Sequence, residues 1–499
     1  MSGISDADSQ PTPAHFSDPA TRSAELEQEA RIRALPEDMR DLIRLANDPG
    51  YQRWLEQMRD IGGCAHPVYL SGYSVTRDVS TGEILVSYST TDEPGDRLAV
   101  RCGNRRASVC EPCSRLHAGD TYHLVRSGLS GGKSLPEQVR GHPRLFVTLT
   151  APSFGPVHRA TGVGEVCRFR RGDPVCEHGE PLGCDLAHSD TDELVGKPLC
   201  VACYDYVGHV LWHAHGGRLW DRFTTAVRRH LASSQGIPRS ELGDHLVVSF
   251  AKVAEYQKRA AVHFHAVVRI DGPGGPESPP PDWAAAELLT EAVHQAARSS
   301  NVAVPESDAY GLERVGWGQQ IDVRPIGEFA DGGGLSDEAV AGYVAKYVTK
   351  GAADSASGLD HHVHGLEEIQ RAAVSSHLRA LMATCWRLGA LPELEPLRLR
   401  LWAHSLGYRG HILTKSRRYS TTYSALRAER ADHKRRSAGV ADDPNAVKES
   451  SWRFVGSGHT PGEALMARSI ANDIARNREE ARAALADYGG RWPDDAGWV

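Results

Sequence analysis

The sequence lacks the features that would place it in or across a membrane. No stretch of about 18 consecutive apolar residues occurs, and no leader with a charged segment, an apolar segment and a cleavage site is recognisable. We therefore expect neither export nor membrane insertion, and a location in the reducing cytoplasm. The sequence also has no GxxxxGK[ST] phosphate loop, which argues against a built-in helicase motor.

The chain also has no net positive charge, since 57 Lys and Arg stand against 64 Asp and Glu, for a formal net charge of -7. A protein of this charge must bind nucleic acid through local basic patches, because long-range attraction works against it. Residues 1–60 are acidic, with twelve Asp and Glu against seven Arg and Lys. Their composition predicts disorder to about residue 30 and helix over 32–60.

Two histidines lie on a predicted strand at Val262–Val268 (VHFHAVV). Alternate strand residues share a face, so His263 and His265 stand together opposite an apolar face. The strand rise places the two imidazoles about 7 Å apart, which lets both reach one metal ion. Glu255, on the preceding strand pattern, becomes a third ligand if it pairs with this strand. Two histidines and a carboxylate suit Mg²⁺ or Mn²⁺.

A second histidine pair has the same spacing, His213-Ala214-His215. It falls in a segment that reads as the end of a helix, where residues two apart diverge. We interpret this pair as incidental.

A predicted helix from about Ser336 to Lys350 contains the sequence YVAKYVTK. Its spacing of three, four and seven residues places Tyr343, Lys346, Tyr347 and Lys350 on one stripe. A phenol attacks phosphorus only after it loses its proton, and nearby lysines and a metal ion favour that loss. Two tyrosines would permit two successive strand transfers. An ordinary amphipathic helix remains the alternative.

Nine of the ten cysteines lie between Cys64 and Cys203, and such clustering in a cytosolic protein favours metal sites over disulfides. We predict two structural Zn²⁺ sites, with free buried thiols as the alternative. Cys167 and Cys385 are expected to be unpaired core residues. The first site is predicted to use Cys64, Cys102, Cys110 and Cys113. The second is predicted to use Cys176, Cys184, Cys200 and Cys203, with His178 as a substitute ligand.

Residues 409–436 form a basic segment, with nine Arg and Lys against two acids. Interleaved tyrosines suit base stacking, so the segment is predicted to bind DNA, against the alternative of a solvated helix face. The contact residues we expect are Lys415, Arg417, Arg418, Tyr419 and Arg427.

The order of a strand LFVTLT at 145–150, then the HFH strand, then the YVAKY helix resembles rolling-circle replication initiators of the HUH endonuclease superfamily. The sequences Cys-X-His-Gly at 176–179, PLCVACYDY at 198–206 and GYRGHILTKSRRYSTTYSALR at 407–427 more closely resemble the initiators of actinobacterial plasmids and integrative elements. The resemblance covers roughly residues 60–430.

This resemblance implies an α+β fold, with a central antiparallel sheet of HUH endonuclease type, flanking helices, zinc-binding insertions and a helical basic C-terminal region. It implies that His263 and His265 bind the catalytic metal and that Tyr343 or Tyr347 attacks the DNA, with Lys346 and Lys350 adding positive charge. Glu255 takes the place of the third ligand.

The expected domain organisation has five parts. They are an acidic N-terminal region at 1–60, a Cys-rich zinc-binding segment at 61–125, a nicking domain at 126–351 with an insertion at 155–205, a basic helical DNA-binding region at 352–437, and a polar linker with a terminal helix at 438–499.

The expected activity is nicking of one origin strand, leaving a 5′-phosphotyrosine and a free 3′-OH, followed by rejoining. Single-stranded origin DNA and the host helicase and polymerase are the expected partners. A transposase or relaxase would use the same chemistry, although the tyrosine of many relaxases precedes the histidines. A non-catalytic zinc-dependent DNA-binding regulator and a metallohydrolase using HxH are the alternatives from other classes.

Overall fold

The computed structural model describes residues 19–327, 335–348, 359, 361–437 and 445–487. The helices are α1 Pro19–Arg33, α2 Glu37–Ala46, α3 Tyr51–Asp60, α4 Glu111–Ser130, α5 Tyr206–Ser234, α6 Ala286–Ser299, α7 Asp337–Val348, α8 Leu366–Arg371, α9 Ser376–Leu388, α10 Tyr423–Ser437 and α11 Pro461–Asp487. The strands are β1 Val68–Asp78, β2 Ile84–Ser89, β3 Leu98–Val100, β4 Arg144–Leu149, β5 Val247–Tyr256, β6 Val262–Asp271, β7 Asn301–Ala303, β8 Arg314–Gly316, β9 Ile321–Pro325, β10 Leu413–Lys415 and β11 Ala446–Ser457. None of the described helices combines the length and the hydropathy needed to span a bilayer.

The chain divides into two compact units, of which the first comprises Met1–Cys102 and Asp442–Val499. Its sheet has the order β11-β1-β2, and β3 pairs with the start of β1. Helix α11 packs on α2, where Asp41 accepts a hydrogen bond of 2.9 Å from the Gly462 N–H. Two expectations are corrected here. Helix α1 begins inside the segment predicted to be disordered, and the segment predicted as a linker contains the long strand β11.

The second unit, Gly103–Ala441, is built on a five-stranded sheet. Its order is β10-β5-β6-β4-β9, and every neighbouring pair is antiparallel. Strands β5 and β6 are almost entirely buried, since they are rich in valine and alanine and both faces are covered. β4 is the strand predicted at 145–150.

Helices cover both faces of this sheet. On one face, Leu145, Val147 and Val268 pack in a core with residues of α5 and α6. On the other face, Phe146 and Val267 pack in a core with residues of α4 and α7. The period of two along β4 and β6 therefore separates two cores, and the second lies beside the histidines.

A tight turn joins β5 to β6. The Gln257 N–H donates to the Ala261 carbonyl over 2.9 Å, and the Ala260 N–H donates to the Gln257 carbonyl over 2.8 Å. Ala260 adopts a φ of +61°, a conformation that usually favours glycine or asparagine. The turn fixes the register of the two strands although it contains no glycine.

Candidate metal and tyrosine site

The strand register brings the predicted metal ligands together. Glu255 lies directly opposite His263. Glu255 Oε2 is 2.9 Å from His263 Nε2 and 3.1 Å from His265 Nε2, and the two Nε2 atoms are 3.0 Å apart. The predicted pairing of the Glu255 strand with the histidine strand is confirmed. The carboxylate oxygen and the two imidazole nitrogens converge on one point.

These separations fit a bound divalent cation. Adjacent ligands of an octahedral ion with bonds near 2.1 Å lie about 3.0 Å apart. The three measured distances fall within 0.1 Å of that value. The group could therefore hold a metal ion. Three ligands would leave other positions open to oxygen atoms of a substrate.

Neighbouring side chains orient the two imidazoles. Thr148 Oγ1 lies 3.0 Å from His265 Nδ1, and the Gln257 amide nitrogen lies 3.4 Å from His263 Nδ1. The Phe146 ring stacks on His265, with centroids 5.7 Å apart and planes at 4°. Such contacts hold the Nε2 atoms toward the metal position. Thr148, Phe146 and Gln257 were not predicted, because no local sequence signal marks them.

The two tyrosines lie on α7, next to the metal-ligand group. Val340, Val344 and Val348 are buried against the sheet, which turns the tyrosine stripe toward the histidines. The Tyr343 hydroxyl is 3.1 Å from His265 Nε2. The Tyr347 ring lies 4.5 Å from the Tyr343 ring and 5.9 Å from the His265 ring.

Of the two lysines in the stripe, the structure describes Lys346. Lys346 is exposed, and its Nζ is 5.8 Å from the centre of the Tyr347 ring. Lys350, the fourth member of the predicted stripe, lies outside the described residues.

The electrostatic environment suits a cation. Burial alone would raise the pKa of Glu255, but hydrogen bonds from His263 and His265 lower it to about 2, so the carboxylate is ionised at neutral pH. Burial lowers the pKa of His265, which keeps this imidazole neutral and able to bind a metal. Burial and the Glu255 charge raise the pKa of Tyr343 above its ordinary range. The Tyr343 phenol is therefore protonated at neutral pH, and a cation placed beside it would lower this pKa.

Three cysteines of the second predicted zinc site lie together with His178, and the fourth lies elsewhere. Cys176, His178, Cys200 and Cys203 place their ligand atoms within 4.8 Å of one another and could hold a metal ion. His178 Nδ1 is 3.2 Å from Cys203 Sγ and 3.8 Å from Cys200 Sγ.

The predicted four-cysteine grouping is therefore wrong in one member. Cys184 lies instead with His158, Cys167 and His188. Cys167, predicted to be an unpaired core residue, is a buried free cysteine, but it lies among these potential metal ligands. The cause is local geometry, since Arg168 and Cys184 form an isolated bridge that places Cys184 beside Cys167. His188 follows Cys184 in a Cys-X3-His spacing that could have revealed it, whereas His158 has no closely spaced partner in the sequence.

The cysteines of the first predicted site divide between the two units. In the first unit, the Cys102 N–H lies 3.3 Å from Cys64 Sγ. In the second unit, Cys110 caps the N-terminus of α4 and Cys113 lies in its first turn, and both are buried. That all four bind one ion stays a prediction.

The basic segment is more closely integrated into the fold than predicted. Tyr419 is fully buried, and its hydroxyl donates to the Val125 carbonyl over 3.1 Å. The predicted stacking of Tyr419 on DNA bases is therefore wrong. Lys415 is half-buried on β10, and its Nζ donates to the Ser420 carbonyl over 2.9 Å. Arg417 and Arg427 are exposed.

Arg418 is exposed as well, and it donates to the Pro273 carbonyl over 3.0 Å. The last helix of the segment, α10, carries part of its charge in ion pairs. Arg430 pairs with Asp120, and Arg435 pairs with Asp432. The free positive charge of the segment is therefore smaller than its composition indicates.

Fold and site together define a mixed α/β protein in which a carboxylate–dihistidine group lies against two helical tyrosines. Residues 50–472 match the family described as "RepSA: Replication initiator protein, pSAM2". The chain therefore belongs to this family of replication initiator proteins. It is also 46% identical over 463 residues to a replication initiator protein of Streptomyces ambofaciens, an alignment that covers 91% of this chain and 96% of the relative. No solved structure matches the chain significantly.

Proposed function

We propose that this protein is a rolling-circle replication initiator with an HUH-type nicking site, which cuts one DNA strand at an origin and remains joined to its 5′ end. One observation carries the proposal. The Tyr343 hydroxyl lies 3.1 Å from His265 Nε2, which itself faces Glu255 and His263. A nucleophile and a cation-binding group are thus within reach of one phosphate.

The reaction conserves the number of phosphate ester bonds. The Tyr343 oxygen attacks the scissile phosphorus as the bond to the 3′-oxygen breaks. The phenol proton leaves to water, and the departing 3′-oxygen gains a proton. The products are a 5′-phosphotyrosine and a free 3′-OH, which can prime a polymerase. Because no bond energy is lost to hydrolysis, a later 3′-OH can attack the same linkage and rejoin the strand.

The residues present fit the catalytic ion inferred from the sequence. Mg²⁺ or Mn²⁺ held by Glu255, His263 and His265 would supply positive charge at the phosphate and at the developing phenolate. The sheet holds these three residues rigidly, and α7 holds Tyr343 in place for in-line attack. Lys346, and Lys350 as predicted from the sequence, would add positive charge beside the tyrosines.

The positions of the two tyrosines suggest which of them attacks the DNA first. The Tyr343 ring lies 4.9 Å from the His265 ring, against 5.9 Å for the Tyr347 ring, and the Tyr343 hydroxyl is 3.1 Å from His265 Nε2. We therefore assign the first attack to Tyr343. Tyr347 would attack the regenerated origin, while the new 3′-OH resolves the first linkage.

Structural zinc would order the parts of the chain that lack a core of their own. We assign one ion to Cys176, His178, Cys200 and Cys203, and a second to the predicted set Cys64, Cys102, Cys110 and Cys113. Exposed arginines of the basic segment, Arg417, Arg418 and Arg427, would contact the phosphates of origin DNA. Because the sequence has no phosphate loop, host proteins would open the duplex and extend the primer.

A nicking assay on a supercoiled plasmid that carries the protein's own replicon tests this function. With Mn²⁺ present, we expect open-circular product and protein covalently attached to DNA after denaturation. Tyr343→Phe with Tyr347→Phe should abolish both, while Tyr73→Phe, at an exposed tyrosine of the first unit, should change neither. Full nicking by the double variant would contradict the role of these tyrosines. Absence of nicking and of adduct in the wild type, on an origin that it binds, would instead support a non-catalytic DNA-binding regulator.

A further inference from the structure

We propose that the insertion at 155–205 contains a second zinc site, a Cys₂His₂ set formed by His158, Cys167, Cys184 and His188. Their ligand atoms all lie within 4.8 Å of one another. The set shares no ligand with the Cys176 group, so the insertion would bind two zinc ions. The inference does not depend on the nicking activity.

The separations agree with tetrahedral zinc. Bonds of about 2.3 Å to sulfur and 2.05 Å to nitrogen place two nitrogen ligands about 3.3 Å apart and a sulfur and a nitrogen about 3.6 Å apart. His158 Nδ1 and His188 Nε2 are 3.2 Å apart. Cys167 Sγ is 3.8 Å from His158 Nδ1, and Cys184 Sγ is 3.4 Å from His188 Nε2.

A carboxylate orients one of these ligands. Asp192 Oδ2 lies 2.8 Å from His188 Nδ1, and the His188 side chain is almost fully buried. The Asp192 carboxylate accepts a hydrogen bond from the Nδ1–H of His188, which leaves the Nε2 lone pair free to face Cys184 and His158. A carboxylate behind a metal-binding histidine is the usual arrangement at zinc sites.

The insertion has a structural need for such a site. Residues 155–205 contain no helix or strand before α5, only isolated bridges such as Val157 with Pro198. Even so, Cys167 is completely buried. A segment without regular structure commonly obtains its order from metal ligation.

The backbone of the insertion lies beside the turn between β5 and β6. The Gly196 N–H donates to the His158 carbonyl over 2.8 Å, and Lys258 Nζ donates to the Asp190 carbonyl over 2.9 Å. A Cβ on Gly196 would lie 2.2 Å from the Lys258 carbonyl oxygen, so the insertion touches the β5–β6 turn directly. That turn joins the strands of Glu255 and His263. Zinc bound to the insertion would therefore stabilise the conformation of this turn.

Elemental analysis of the purified full chain tests the proposal. The variant Cys167→Ala with Cys184→Ala should contain about one zinc atom per chain less than the wild type. Cys385→Ala, which removes a buried thiol outside every group, should retain the wild-type zinc content. Equal zinc content in the double variant and the wild type would overturn the proposal.

A second measurement avoids variants that fail to fold. Cys184 is only half-buried, so zinc ligation should protect it from alkylation by iodoacetamide. We expect its alkylation, followed by peptide mass spectrometry, to accelerate severalfold once a chelator removes zinc. Cys385 should stay unreactive, which would show that the core is intact. An unchanged rate at Cys184 after demonstrated zinc loss would contradict the assignment.

Discussion

Two histidine pairs with identical spacing have different structural surroundings in this molecule. His263 and His265 lie on β6, and their Nε2 atoms are 3.0 Å apart beside Glu255. His213 and His215 lie inside α5, where residues two apart point in different directions. His213 bonds to the Leu406 carbonyl and His215 to the Leu211 carbonyl. The same motif thus forms a group that could hold a metal ion on a strand, and two separate core contacts on a helix.

The helical pair nevertheless supports the strand pair. His213 Nε2 accepts the backbone N–H of Val262 over 3.0 Å, at the start of the strand that carries the site histidines. His213 is completely buried, and burial lowers its pKa to about 4, so it stays neutral. His213, which we interpreted from the sequence as part of an incidental pair, therefore supports the strand that carries the site histidines. Its predicted place at a helix end is wrong, because α5 continues to Ser234.

The largest predicted effect is a loss of nicking activity when the strand pair is substituted, with little loss when the helical pair is substituted. We expect His265→Ala to lower origin nicking by about 10³-fold, because the catalytic cation would lose a ligand worth several kcal/mol. The matched control His215→Gln should nick within a fewfold of the wild type. Initial nicking rates at saturating Mn²⁺ measure both. A loss of equal size in the control would remove the distinction.

The second predicted effect is a pH dependence of the unfolding free energy that arises from His213, in the helical pair. An unfolded histidine takes up a proton near pH 6.5, whereas His213 does so only near pH 4 in the folded protein. Its contribution is therefore fully present above about pH 6.5 and is lost as pH falls, by about 2 kcal/mol between pH 7 and pH 5.

Urea denaturation at these two pH values measures this effect. The His213→Gln variant should lack that part of the pH dependence, so the difference in unfolding free energy between wild type and variant should shrink at pH 5. An equal difference at both pH values would contradict the neutral state of His213.

A smaller effect is expected from the contact behind His265. Thr148→Val removes the hydroxyl that lies 3.0 Å from His265 Nδ1 while keeping the side-chain volume. Loss of such an orienting partner commonly weakens metal affinity by about 10- to 100-fold. Nicking should therefore require more Mn²⁺ and recover when Mn²⁺ is raised. A defect that excess metal does not relieve would point to a structural role for Thr148.

The smallest predicted effect concerns the basic segment. Arg417→Ala removes one exposed cation of the basic segment. If Arg417 contacts a DNA phosphate, the slope of log affinity against log salt should fall by about 1. Fluorescence anisotropy with labelled origin DNA at several salt concentrations measures this slope. Tyr419→Phe, in the core, should leave it unchanged.

Local patterns predicted which of these side chains lie close together, because their proximity depends on short-range geometry. Alternation along β6 places two histidines on one face, and pairing with the adjacent strand through a short turn places Glu255 opposite His263. Helical spacing likewise places Tyr343 and Tyr347 on one stripe. Each of these relations is determined within about twenty residues of chain.

The features that escaped prediction depend on distant contacts. β11 pairs with β1 in a register that joins Val68 to Ser457, and no local sequence signal identifies that partner. Tyr419 appeared to belong to a solvent-facing basic run, yet it fills a core formed by α4 and α7. The exchange of Cys184 for His178 likewise follows from how the insertion folds back on itself.

The most direct test of the central claim identifies the residue that becomes joined to DNA. The full chain would be incubated with Mn²⁺ and a single-stranded origin oligonucleotide that traps the covalent product, and the digested adduct would be analysed by mass spectrometry. The account predicts a nucleotide on Tyr343 and, in the Tyr343→Phe variant, a slower adduct on Tyr347. Nicked DNA with no protein attached, or an adduct on neither tyrosine, would contradict it.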